Sequence, residues 1–117
     1  MARSAVTVAS LTAYNSEGTV TKDAIDATNN HSIDVSGVKD GNLLVFIETT
    51  NTEAGTFEIK AGDFSGAGVG DVTITTGSAL TQVIQLESSR FKDEDELILI
   101  DVTGASVTGN IYAVEGN

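Results

Sequence analysis

Nowhere in this chain do apolar residues recur at helical spacing over a dozen consecutive positions, and that deficit excludes most ways of building a core from helices. Apolar residues fall instead into short segments, either alternating with polar ones or bunched in brief runs, and clusters of turn-forming residues separate them. A chain of this kind must bury the apolar faces of strands against one another. Its residue usage agrees. Val, Ile and Thr, whose branched side chains suit a pleated surface, dominate. With 12 glycines and no proline, the turns rest on Gly, Asn, Asp and Ser.

The first strand candidate is Ala5–Ala13, with Val6 and Val8 on one face and a parity shift to Leu11 that predicts a bulge or a bend between sheets. A weak strand is expected over Thr19–Thr28 around Val20 and Ile25, followed by a turn at Asn29-Asn30-His31 and a short strand over Ser32–Ser36. Asp40-Gly41 is a strong turn signal. It leads into Leu43-Leu44-Val45-Phe46-Ile47, a continuous apolar run of the type found in strands buried on both faces. Thr56–Ala61 alternates, with Phe57, Ile59 and Ala61 inward. Beyond the glycine-rich Gly62–Gly70 connection come strands over Asp71–Thr76 and Leu80–Glu87, the latter with Leu80, Ile84 and Leu86 in phase. A charged connection, Ser88–Glu96, precedes a second continuous run at Leu97–Val102, and Val107–Val114 closes the chain with Ile111 inward. About eight strands in one domain spanning 1–117 predict an antiparallel β-sandwich. A jelly roll is the first expectation and an immunoglobulin-like sandwich the alternative.

A chain of 117 residues buries roughly two-thirds of its unfolded surface and holds together without disulfide or metal. It contains no cysteine, which removes disulfides, zinc ribbons, iron–sulfur sites and thiol nucleophiles. Seventeen acidic residues against 6 basic ones give a net charge of −11. The six cations are scattered, so neither a phosphate-tracking groove nor an anionic membrane surface is an expected partner. The opening residues alternate instead of forming an apolar leader core, and no run reaches the ~20 apolar residues of a membrane helix.

Catalytic chemistry finds little foothold. His31 is the sole histidine and is expected to bond a loop backbone; no Gly-x-Ser-x-Gly elbow accompanies it. Asp93-Glu94-Asp95-Glu96 is the densest acidic cluster, but it lacks the glycine and the alternate spacing of a calcium loop. It reads as a solvated turn, with Asp93 and Asp95, joined by Asp63 or Asp71, as the only calcium candidates. Gly66-x-Gly68-x-Gly70 precedes a β segment, not the helix a phosphate loop needs. Asn30-His31-Ser32 matches a glycosylation sequon, which matters only in a eukaryotic secretory setting. With no Trp and few other aromatics, the sugar platforms of a carbohydrate-binding groove are poorly represented. No catalytic residue, cofactor or resident metal is expected.

The two continuous apolar runs carry a different message. A two-layer sandwich buries one face of each strand, so the second faces of Leu43–Ile47 and Leu97–Ile100 need cover from elsewhere. Leu44, Phe46, Leu97 and Leu99 are therefore the candidate contacts for a homo-oligomer, with a trimer as the expected state. Residues 1–5, including Arg3, are the candidate N-terminal arm reaching a neighbour.

One resemblance spans nearly the whole chain. It rests on Met1-Ala2-Arg3-x-Ala5-Val6-Thr7-Val8-x-x-Leu11-Thr12-Ala13, on Ile25-Asp26-Ala27-Thr28-Asn29-x-His31-x-Ile33, and on Ile59-Lys60-Ala61-Gly62-Asp63. Glu87-Ser88-Ser89-Arg90-Phe91, the apolar strand after Asp95 and Gly109-x-Ile111-x-Ala113 extend it. On these motifs the chain resembles the small head decoration or minor structural proteins of tailed bacteriophages. The resemblance implies a virion protein made in the host cytoplasm, bound to the major capsid protein on the outer capsid surface, where it staples subunits and stabilises the shell. The competing class is a receptor- or carbohydrate-binding β-sandwich of a phage tail or cell surface.

Overall fold

The computed structural model describes residues 2–50, 55–64, 68, 70–77, 79–104 and 107–117. Among the described residues, ten strands run in the order β1 (Ser4–Ala5), β2 (Val8–Ser10), β3 (Asp23–Ala24), β4 (His31–Asp34), β5 (Leu43–Thr49), β6 (Gly55–Ile59), β7 (Val72–Thr76), β8 (Thr81–Leu86), β9 (Leu97–Thr103) and β10 (Gly109–Glu115), with a turn of helix, α1 (Ser88–Phe91), before β9. They form two sheets. The first is ordered β1-β4-β9-β6-β7; the second is ordered β2-β10-β5-β8, with β3 also pairing β10.

Apart from the parallel-paired strands β1 and β2, the antiparallel pairings are nested: β6 with β7, β5 with β8, β4 with β9, and β3 with β10. This is a long hairpin folded over on itself, the jelly-roll arrangement. The expected antiparallel ladders hold for β4–β10. The short N-terminal strands differ, because β1 runs parallel to β4 and β2 parallel to β10. Between them Val6 is buried and the chain crosses from one sheet to the other, ahead of the Val8-to-Leu11 parity shift at which a bend is expected.

Alternation places the core between the layers. Ile33, Phe57, Ile59, Ile98, Ile100 and Val102 project from the first sheet; Leu43, Val45, Ile47, Leu86, Ile111 and Ala113 project from the second. All twelve are buried, and at roughly 1.5–3 kcal/mol per large apolar side chain they supply the main drive to fold. Gly41 sits at φ +81, the conformation the Asp-Gly turn requires.

Several expectations are corrected. The Thr19–Thr28 segment pairs only at Asp23–Ala24. Asp26 Oδ1 accepts the amides of Thr28 and Asn29, and such local bonds compete with a strand ladder. His31 does not turn the chain; it begins β4 and is fully buried. Leu80 lies outside β8 and is 47% exposed, while Gln82 takes the inward phase. The Ser88–Glu96 connection contains α1, whose Phe91 is buried. Residues 65–67 and 69 of the Gly62–Gly70 connection lie outside the described residues.

Candidate functional site

The outer faces of the two sheets differ in kind. On the second sheet, outward residues line up across strands: Tyr112 beside Phe46 beside Val83, then Val114 beside Leu44 beside Gln85. Phe46 and Tyr112 stack with centroids 5.1 Å apart and planes 6° from parallel, an attractive offset arrangement. Val83 is 57% exposed. Lys22 closes one end of the row. Its Nζ lies 5.4 Å over the Tyr112 ring and donates to Glu48 Oε2 at 3.1 Å. That bond, with the one from Asn110, holds the Glu48 carboxyl below its usual pKa.

The outer face of the first sheet is polar. Ser32 and Asp34 of β4 lie opposite Leu99 and Leu97, and further along β9 Asp101 and Thr103 lie opposite Glu58 and Thr56 of β6. Lys60 bridges Glu58 at 2.6 Å and Asp71 at 3.0 Å, and these contacts raise its pKa. The four leucine and phenylalanine candidates are therefore not one surface. Leu44 and Phe46 share a face, whereas Leu97 and Leu99 lie across the sandwich, flanked by Asp34 and Ser32.

Arg3 is engaged with its own chain and not free to reach a neighbour. It pairs with Asp101 at 2.6 Å and donates to the carbonyls of His31 and Ile100, both at 3.2 Å. Ser4 and Ala5 join β4 as β1. Ser4 and Ala5 are thus an edge strand of the first sheet, because β4 offers them a free ladder, and Asp101 gives Arg3 before them a counter-ion.

The acidic candidates act as turn caps. Asp93 Oδ1 accepts the amides of Asp95 and Leu97; Asp63 Oδ2 accepts that of Glu94; Asp71 Oδ1 accepts that of Ala61. Among the described residues, no three metal-ligating side chains converge. An open groove of about 570 Å³ lies against β1, β3 and the following loop. Its two carboxylates are also taken up: Asp23 accepts Thr7 N–H at 2.7 Å, and Asp26 accepts Ser4 Oγ at 2.6 Å. The Ser4 hydroxyl, with the loop amides, draws the Asp26 pKa down to about 2. Asn30, the sequon asparagine, uses its side-chain oxygen to accept Val102 N–H at 2.8 Å.

Sequence reasoning overlooked Tyr112, Val114 and Val83. The outward alternation Asn110-Tyr112-Val114 on β10 carried the signal, but only the register of β10 on β5 brings those residues beside Leu44 and Phe46.

The chain matches no protein-family model, no curated protein and no solved structure.

Proposed function

We propose that this protein is a non-catalytic virion structural protein, a decoration protein that binds the outer surface of a tailed-phage capsid and stabilises the shell. The observation that carries the reading is the Tyr112–Phe46–Val83 row with Leu44 and Val114 on the outer face of the second sheet. An outward-facing apolar row, half-buried except at the exposed Val83, on a molecule of net charge −11 supports reading this face as an interaction surface. The resemblance to phage head proteins names the occupant, the major capsid protein. Acidity argues against nucleic acid or an anionic membrane as the target. The Cys-free jelly roll suits a protein that must stay folded outside a cell. In the competing carbohydrate-binding reading, Tyr112 would stack on a sugar, but Lys22 already lies over that ring.

Co-sedimentation tests the proposal. Purified protein added to capsids that lack it is expected to pellet with them to saturation, and the Phe46→Glu variant is expected to remain in the supernatant. Absence of pelleting by the unaltered protein overturns the reading.

A further inference from the structure

We infer that β8 is a self-pairing edge through which two copies of this chain form a two-fold dimer. This does not rest on the capsid reading. The second sheet ends at β8. Thr49 N–H donates to Leu80 O at 2.8 Å, and antiparallel ladders alternate in direction. The backbone N–H and C=O groups of Thr81, Val83 and Gln85 therefore point away from β5, toward the open edge, and all three residues are exposed.

Natural sheets guard such edges with charge, proline, bulges or very short strands. The opposite side of this sandwich is guarded in that way, by β1, β2 and β3, which are two or three residues long. The β8 side is not. Residues 72–86, which hold β7, β8 and their connection, form the longest stretch of the chain without a charged residue, and no proline interrupts it. All of the −11 net charge lies elsewhere. Two copies that repel one another over most of their surface can approach along this neutral edge, which commits the surface to a second copy.

The geometry is self-complementary. Pairing β8 antiparallel to itself sets Val83 opposite Val83, and Thr81 opposite Gln85 of the second copy, about one two-fold axis. β7 is the terminal strand of the first sheet on the same side, where Gln82 Nε2 reaches Thr75 O at 3.3 Å. The same axis therefore brings the two β7 edges together. It also joins the two Phe46–Tyr112 rows through Val83 into one continuous apolar strip. An edge of this kind closes a dimer and not a trimer.

Sedimentation velocity on the full chain tests the inference with two variants. Val83→Pro removes one outward N–H without touching the β5–β8 ladder, and Thr81→Lys charges the edge; far-UV circular dichroism verifies their folding. The expected result is a concentration-dependent dimer for the unaltered chain, favoured by added salt, and half that mass for both variants. If Val83→Pro fails to fold, Thr81→Lys decides. A monomer at every concentration, or a dimer that survives the substitution in a folded variant, overturns the inference.

Discussion

Asp26 N–H donates to His31 Nε2 at 2.9 Å, and the other ring nitrogen of His31, Nδ1, lies 3.1 Å from Ser4 O. One nitrogen must accept and the other donate, so the buried imidazole is neutral with its proton on Nδ1. The ring ties the first strand to β4 and to the loop before it. Arg3 reinforces the tie from the other side, through Asp101 and the carbonyls of His31 and Ile100.

Replacing this imidazole tests its structural role. His31→Leu leaves the Asp26 amide without its acceptor inside the fold, while Ser4 O keeps its place in the β1–β4 ladder. A loss of about 1–3 kcal/mol is expected, the cost of one unmet buried group. Urea denaturation gives the value, and hydrogen exchange should show β1 losing protection before β9.

The same histidine sets a pH dependence. Burial holds its pKa below the usual 6.5, outweighing the Asp26 and Asp23 carboxylates, which favour the charged ring; Arg3 disfavours it. The unfolded chain therefore takes up this proton first as the pH falls. Its contribution is complete above pH 6.5 and declines below it. Asp26 adds a second decline between its usual 3.8 and about 2. Melting temperature measured against pH should show both steps in the unaltered chain and only the lower one in His31→Leu.

Gly109 is the tightest point of the β10–β5 ladder. At φ +140 a Cβ there would collide with the Glu48 carbonyl. Gly109→Ala is expected to cost about 3 kcal/mol or more, as strain at a position only glycine adopts freely. By contrast, Gly37→Ala has room for its methyl group and carries only the strain of φ +79, so thermal melting should rank it well above Gly109→Ala.

Phe46→Ser separates the outer face from the core. Its inward neighbours Val45 and Ile47 keep their packing, so the domain remains cooperatively folded and loses about 0.5–1.5 kcal/mol with the Tyr112 stack. Phe57→Ala, on the inward side and fully buried, should cost about 3–5 kcal/mol. Chemical denaturation of the two variants compares outward and inward positions directly.

Calcium and EDTA should leave the melting temperature unchanged. The Asp93, Asp63 and Asp71 carboxylates already accept backbone amides. A rise on adding calcium would reveal a ligand bound to the folded state alone.

Strands with strict alternation were legible from the residues alone. Phe57 and Ile59 on β6, and Ile33 on β4, face inward as their spacing implies. The double apolar runs at β5 and β9 were legible as strands, and their outward residues as unusual. Their environment was not, because cross-strand register decides it: Leu44 and Phe46 meet Val114 and Tyr112, while Leu97 and Leu99 meet Asp34 and Ser32. His31 was legible in part. Its expected bond to a loop backbone is made by Asp26 N–H, but Asn-Asn reads as a turn, and Ser4 O, the other partner of the buried ring, comes from a segment that meets it only in the fold. Helix α1 is too short to show any period. The parallel pairing of β1 and β2 depends on the crossing at Val6, and alternation alone carries no strand direction.

The proposed residence on the capsid surface is tested most directly by counting the protein in purified virions. Quantitative mass spectrometry against the major capsid protein should give a fixed, simple ratio with many copies per particle. A complete absence from virions, or a handful of copies as for a tail or vertex component, would contradict the assignment to the capsid surface.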